Sequence, residues 1–157
     1  EAGLTVSLDL NLRLELQRLD GETRRTFEEA IDYSNVVFGQ ADEEIIPLSG
    51  RNTIEEATRD LCNGQRIVIA RQGKEGAMAV TPDGIHQIPA FKVEVVDTLG
   101  AGDAFNGGFI AAVLANCTIP EATRWGNAVA AWNIGRPGAR GLPTRQELNG
   151  ILDDVNG

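Results

Sequence analysis

Histidine is almost absent from this chain of 157 residues, with His86 alone, and cysteine is nearly so, with Cys62 and Cys117. A Ser–His–Asp relay or a His-rich metal centre therefore has little to be built from. The two cysteines are isolated and lack CxxC spacing, which reads as reduced structural thiols in a cytoplasmic protein. Lysine is scarce as well: Lys74 and Lys92 stand against twelve arginines. With 23 acidic residues against 14 basic ones, the net charge of −9 argues against nonspecific nucleic-acid binding, which rests on clustered cations. No apolar run approaches the roughly 20 residues that cross a bilayer. The first residues lack the basic-then-apolar order of a secretion signal. They read instead as the end of a helix running into a strand, so a fragment or half-protein is one reading.

What is present is the alternation of an α/β protein. Residues 4–10 form a strand pattern, residues 21–32 a polar-faced helix, and residues 35–38 a short buried strand ending at Gly39. A short helix is expected over 42–46, a turn over 47–50, and an amphipathic helix capped by Thr53 and stopped by Asn63-Gly64. Arg66-Ile67-Val68-Ile69-Ala70 has the continuous apolar character of a parallel strand buried on both faces. Residues 76–88 read as a hairpin about Pro82-Asp83-Gly84. Helices follow over 101–116, 120–134 and 145–154, the last after the loop "GRPGARGLPT". The whole fits a single domain with a mixed, mostly parallel sheet.

The most informative stretch is "VVDTLGAGDAFNGGF", residues 95–109. An apolar pair runs through a small-residue loop into a helix. The first amides of a helix lack partners, and glycine and alanine let them approach an anion closely. Gly100-Ala101-Gly102 has this form, yet a dinucleotide fingerprint needs glycine where Phe105 stands, and no Gly-Lys-Ser/Thr is present. Asp103 follows at once. It is either a first-turn acid favoured by the helix dipole or a carboxylate that accepts a proton from a hydroxyl attacking a phosphoryl group.

"VDTLGAGDAFNGGF" resembles the C-terminal signature of the PfkB, or ribokinase-like, sugar kinases, D-T-x-G-A-G-D followed by F-x-x-G-F/A. The resemblance implies a three-layer α/β/α fold and transfer of a phosphoryl group from ATP to a sugar or sugar-acid hydroxyl. Asp103 would then be the catalytic base, and Gly100, Ala101 and Gly102 the anion hole. "VIARQGKEGAMAV" is similar to the family's strand-turn-strand, which places Arg71, Gly73 and Gly76 along the ATP phosphates. A plain hairpin with ordinary glycines is the other reading of that stretch. "ATRWGNAVAAWNIGRPGARGLPT" resembles the adenine-side helix and loop, with Asn127 against the base and Ala131 leaving room for it. The loop 138–141, with the Asp97 region, would surround the monovalent cation, such as K+, that many relatives use.

"SLDLNLRLEL" resembles the D-x-N-x-R segment of the fructokinase and 2-keto-3-deoxygluconate kinase branch. It implies Asn11 and Arg13 as substrate contacts, Arg13 holding a sugar-acid carboxylate; a surface ion pair is the alternative for that arginine. One departure concerns magnesium. Relatives carry N-x-x-E after the next strand, where this chain has "FGQADEE"; Gly39 falls at the asparagine, and Asp42 or Glu43 at the glutamate. Alignment favours Asp42, with Asp97 as the second metal-side carboxylate.

The resemblance spans nearly all of this chain but only the C-terminal part of the family, whose members are roughly twice as long. It implies that the sugar-binding half and lid are missing, that the chain alone is weakly active or inactive, and that it self-associates or pairs with that half. A non-catalytic nucleotide-binding or oligomerising remnant and a nucleoside kinase are the competing readings.

Overall fold

The apolar runs Val36-Val37-Phe38 and Val68-Ile69-Ala70 are buried almost completely, as strands covered on both faces must be. In the computed structural model, which describes residues 4–16, 18–138 and 141–153, they form the middle of β2 (Val36–Gln40) and β3 (Ile67–Arg71). These strands pair in parallel from Val36 opposite Ile67 to Gln40 opposite Arg71. On the other side of β2 lies β1 (Ser7–Asp9), also parallel. Next to β3 come β4 (Ala77–Thr81) and β5 (Gly84–Ile88), giving the order β1-β2-β3-β4-β5. Only two residues join β4 to β5, so the pair is an antiparallel hairpin. Thr81 braces its turn, the hydroxyl accepting from the amides of Asp83 and Gly84 at 3.2 Å each. The expected mixed α/β sheet is present, with β1, β2 and β3 parallel and the β4–β5 hairpin at one side. β1 is shorter than the predicted 4–10 because Leu4 and Val6 lie exposed before it and Asn11 turns left-handed, φ 42°, after it.

By its internal contacts the chain divides into two compact units, Glu1–Gln72 with Met78–His86, and Gly73–Ala77 with Gln87–Gly157. In the first, α1 (Gly21–Asp32) begins at Asp20, whose carboxylate accepts from the amides of Glu22 and Thr23. α3 (Ile54–Cys62) begins likewise at Thr53 and ends at Asn63 in the left-handed conformation. The start at Thr53 and the stop at Asn63 are as predicted, and Asp20 is a cap that the structure adds. Ile31, Ala57, Leu61 and Cys62 bring the helices onto Val37, Val68, Ala70 and Val80 of the sheet. Each fully buried Val or Leu contributes about 1.5–3 kcal/mol.

Between β2 and α3 the sequence reading needs correction. The helix expected over 42–46 is a π-helical turn, Ala41–Ile45, and the turn expected over 47–50 is the short helix α2 (Ile46–Ser49). Pro47 is compatible with helix here because it occupies the first turn, where its missing N–H has no partner to lose. Gly50, at φ 71°, then stops the helix.

The second unit is dominated by α4 (Ala101–Leu114) and α5 (Ile119–Ile134), followed by α6 (Arg145–Asp153). Thr118 and Glu121 form a capping box at the start of α5. Glycine allows α4 and α5 to approach closely. A Cβ on Gly108 would stand 2.8 Å from Val129 Cγ2, and one on Gly126 2.9 Å from the Phe105 ring. Gly107 differs, since a Cβ there meets open space. Adjacent substitutions therefore have opposite signs. Gly107→Ala is expected to raise stability by about 0.5–1 kcal/mol. Gly108→Ala is expected to lower it by about 1–3 kcal/mol through overpacking. Urea midpoints of the two variants provide the comparison.

Candidate phosphoryl-transfer site

Residues 96–103 join an extended segment to the start of α4, and side chains on every side hold the loop. The amides of Val96 and Asp97 donate to the Ile134 carbonyl at 2.8 and 3.1 Å. One Asp97 oxygen accepts from the Leu99 amide at 2.9 Å and the other from the Gly138 amide at 3.0 Å. These amides hold the Asp97 carboxyl below its ordinary value. From α5, the buried Asn133 donates its side-chain amide to the Leu99 carbonyl at 2.9 Å.

Gly100 then takes φ 75° and opens α4. The first helical bond runs from the Ala104 amide to the Gly100 carbonyl, and the Ala101 amide turns back to Thr98. This leaves the amides of Gly102 and Asp103 in the first turn without helical partners. Asp103 itself is exposed on that turn. Amides without helical partners at a dipole's positive end, beside an exposed carboxylate, can hold an anion and take a proton next to it.

Gly76 and Asn127 meet at one backbone segment of the same unit. Gly76 has φ 94°, and a Cβ on it would collide with the Ile88 carbonyl and lie 2.6 Å from the Ala90 nitrogen. Asn127, buried on α5, donates its side-chain amide to the carbonyls of Ile88 and Pro89 at 3.1 and 3.0 Å. The two residues expected on the nucleotide side thus fix the end of β5 between them. Gly73, also left-handed, accepts the Gly76 amide through its carbonyl and closes the preceding turn. Ala131 is buried one turn along α5 from Asn127. Residues 139 and 140 of the expected cation loop lie outside the described residues.

The first unit carries the other expected residues. Asn11 and Arg13 contact each other, Arg13 Nε donating to Asn11 Oδ1 at 3.2 Å. Arg71, at the end of β3, makes a forked pair with Asp9, at the end of β1, at 3.0 and 2.9 Å. It also lies 3.7 Å from Glu44. Asp42 and Glu43 are exposed on the π-helical turn, whereas Glu44 is buried. The Glu44 oxygens accept from the Leu12 and Gln40 amides, each at 2.5 Å. Burial pushes its carboxyl up, against the pull of the two amides and Arg71. Among the described residues no group of three or more His, Cys, Asp or Glu gathers as a metal site.

Residues 4–145 match the pfkB family of carbohydrate kinases. The chain belongs to that family. It is 38% identical to the ATP-dependent ribose-1-phosphate kinase of Halopiger xanaduensis over 98% of its own length and 48% of that protein. It is 28% identical to a 5-dehydro-2-deoxygluconokinase of Bacillus anthracis, over 96% of this chain and 47% of the relative. The fructokinase of Vibrio cholerae, solved with fructose, ADP and calcium, superposes with a TM-score of 0.83 at 30% identity, covering 95% of this chain and 51% of that one. The aminoimidazole riboside kinase of Salmonella enterica, solved with its riboside and an ATP analogue, gives 0.81 at 32% identity, with 95% and 52% coverage. This pfkB chain thus spans about half the length of the relatives it matches.

Two polar residues of the pfkB chain escaped the sequence reading. Asn133 lies eight residues after Trp125 and four after Val129, on the same buried face of α5, and that spacing was its available signal. Glu44 had none, because a π-helical turn places side chains off the usual helical spacing. No described helix is long and apolar enough to cross a membrane.

The Asp97 contacts define a pH response. With its carboxyl lowered in the folded state, the stability it contributes is fully present above the ordinary value of 3.8 and is lost as pH falls through the lower folded value. The Leu99 and Gly138 amide protons are expected to titrate together by NMR, with a midpoint below 3.8, and to lose that titration in Asp97→Asn.

Proposed function

We propose that this chain carries the phosphoryl-transfer machinery of an ATP-dependent sugar or sugar-acid kinase. The observation that carries the reading is the braced loop at residues 97–100, which presents first-turn amides of α4 beside the exposed carboxylate of Asp103. In the proposed reaction Asp103 takes the proton of the acceptor hydroxyl as its oxygen attacks the γ-phosphorus of ATP. The amides about Gly100, Ala101 and Gly102 stabilise the charge developing on the transferred group. Gly73 and Gly76 form the phosphate-side turn, and Asn127 and Ala131 the base-side helix face. Asn127 supports that face by holding Ile88 and Pro89 in place.

Magnesium suits the exposed carboxylate oxygens of Asp42 and Glu43, since this ion takes one or two carboxylates together with nucleotide phosphates. When bound it would neutralise charge on the phosphates. Each Asp97 oxygen accepts one amide proton, which holds the loop and leaves a further lone pair on each for the metal side. A monovalent cation such as K+ is assigned to the neighbourhood of the same loop. On the acceptor side, the exposed fork of Arg13 suits a carboxylate, which favours a sugar acid over a neutral sugar.

The test is kinetic. In the kinase that carries this chain, Asp103→Asn is expected to lower kcat about 10²–10⁴-fold with ATP affinity retained. Unchanged turnover would leave Asp103 as a helix-terminal acid and favour a nucleotide-binding role without chemistry. Arg13→Ala is expected to raise KM for 2-keto-3-deoxygluconate about 10–100-fold, and an unaltered KM removes the sugar acid. The 157-residue chain alone is expected to turn over more slowly than about 1 per second, the lower end for kinases.

A further inference from the structure

The chain has two tryptophans, and both stand on α5, two turns apart and so on one face of the helix. Each carries an arginine over its ring. The guanidinium carbon of Arg145, at the start of α6, lies 4.2 Å from the centre of the Trp125 ring. That of Arg136 lies 3.3 Å from the centre of the Trp132 ring. A cation over an aromatic face is attracted by the ring's quadrupole. Arg136 and Arg145 also bracket the glycine- and proline-rich sequence that follows α5. Trp125 is buried, and its arginine docks α6 on α5. Trp132 is half-buried, and its arginine belongs to no helix, so packing of helices does not account for the second stack.

Helix capping accounts for part of it. The Arg136 amide turns back to the Asn133 carbonyl at 3.2 Å, so the Trp132 carbonyl lacks the partner that a longer helix would give it. Arg136 Nη1 donates to that carbonyl at 3.0 Å, with its charge at the negative end of the helix dipole. A lysine could do as much. What the guanidinium adds is a flat face that lies along the ring and fixes the residue. Pro137 follows. Its ring sets its own φ and restricts the residue before it, so little torsional freedom separates Arg136 from Gly138. Gly138, left-handed at φ 79°, donates its amide to Asp97 at 3.0 Å. The other Asp97 oxygen holds the Leu99 amide, one residue before Gly100 opens α4. We infer that Trp132 and Arg136 are positioning residues: their stack seats Gly138 on Asp97 and, through that carboxylate, sets the loop that presents the first-turn amides of α4. This inference rests on that loop being the phosphoryl-transfer site.

Two measurements separate the inference from that reading. The first uses this chain alone and needs no substrate. Trp132→Leu removes the ring but leaves the carbonyl that Arg136 serves, whereas Trp132→Phe keeps an aromatic face. Amide hydrogen exchange at Gly138 is expected to accelerate about tenfold in Trp132→Leu and to stay within about twofold in Trp132→Phe, while Val129 in α5 stays protected in both. Unchanged exchange at Gly138 in Trp132→Leu overturns the inference. Loss of protection at Val129 marks Trp132 as a general stability residue and also overturns it, as does equal acceleration in Trp132→Phe. Arg136→Lys, which keeps the charge without the flat face, is the second variant if Trp132→Leu does not fold, and the same acceleration at Gly138 is expected of it.

The second uses the kinase that carries the chain. Trp132→Leu is expected to lower kcat about tenfold, with KM for ATP and for the acceptor within about twofold, because the amides set by the loop act on charge that develops in the transition state. In an Arg136→Ala background it is expected to add nothing further. Additive losses, or a rise in either KM with kcat unchanged, refute positioning of the loop through the stack. Should Asp103→Asn leave turnover unchanged, the phosphoryl-transfer reading fails on its own variant, and the link from Trp132 to turnover fails with it. Exchange at Gly138 decides the seating of that residue on Asp97 independently of either.

Discussion

The parallel register of β1, β2 and β3 is the constraint on which the first unit's chemistry depends. Pairing Asp9 with Phe38, and Gln40 with Arg71, brings the carboxyl ends of three strands distant in sequence to one edge. At that edge the Arg71 fork reaches Asp9 and the π-helical turn delivers Glu44. A slip by one residue would exchange the side chains packed on the two buried faces, Val37 and Val68 among them, and would separate these charges as well. Register is thus held by apolar burial and used by polar groups. This agrees with the general placement of function at the carboxyl ends of strands in α/β proteins.

The second unit achieves the same end by other means. There a loop rather than a sheet edge must be rigid, and hydrogen bonds from α5 and the segment after it do the fixing. Asp97, Asn133 and the Ile134 carbonyl each spend polar capacity on the loop backbone between 96 and 99. Close approach of α4 to α5, which Gly108 and Gly126 permit, places the Asn133 donor and the Ile134 acceptor. Rigidity of this kind matters for phosphoryl transfer, where the protein contributes mainly positioning and preset dipoles.

Family membership and site geometry support different statements. The match over residues 4–145 places the chain among carbohydrate kinases. Relatives that act on ribose 1-phosphate, on a dehydro-deoxygluconate and on fructose show how widely acceptors vary on this fold. Family membership therefore leaves acceptor choice to the side chains of the individual site. The same holds for Arg71. The resemblance sets it along the ATP phosphates, and in this structure its guanidinium makes a forked pair with Asp9.

Much of this protein was determined by local sequence. Continuous apolar runs gave β2 and β3, Asp20 and Thr53 set helix starts, and small residues about Gly100 marked the loop before α4. Each depends on neighbours within a turn or two, where steric and hydrogen-bonding rules are strong. Tertiary structure decided the rest. Only folding shows that Asn127 serves two carbonyls at the end of β5, that Arg71 belongs with Asp9, or that Glu44 and not Asp42 enters the core. Those pairings join residues 32 to 62 positions apart. Their energies arise from burial and from partners supplied by other elements, neither of which a local pattern contains.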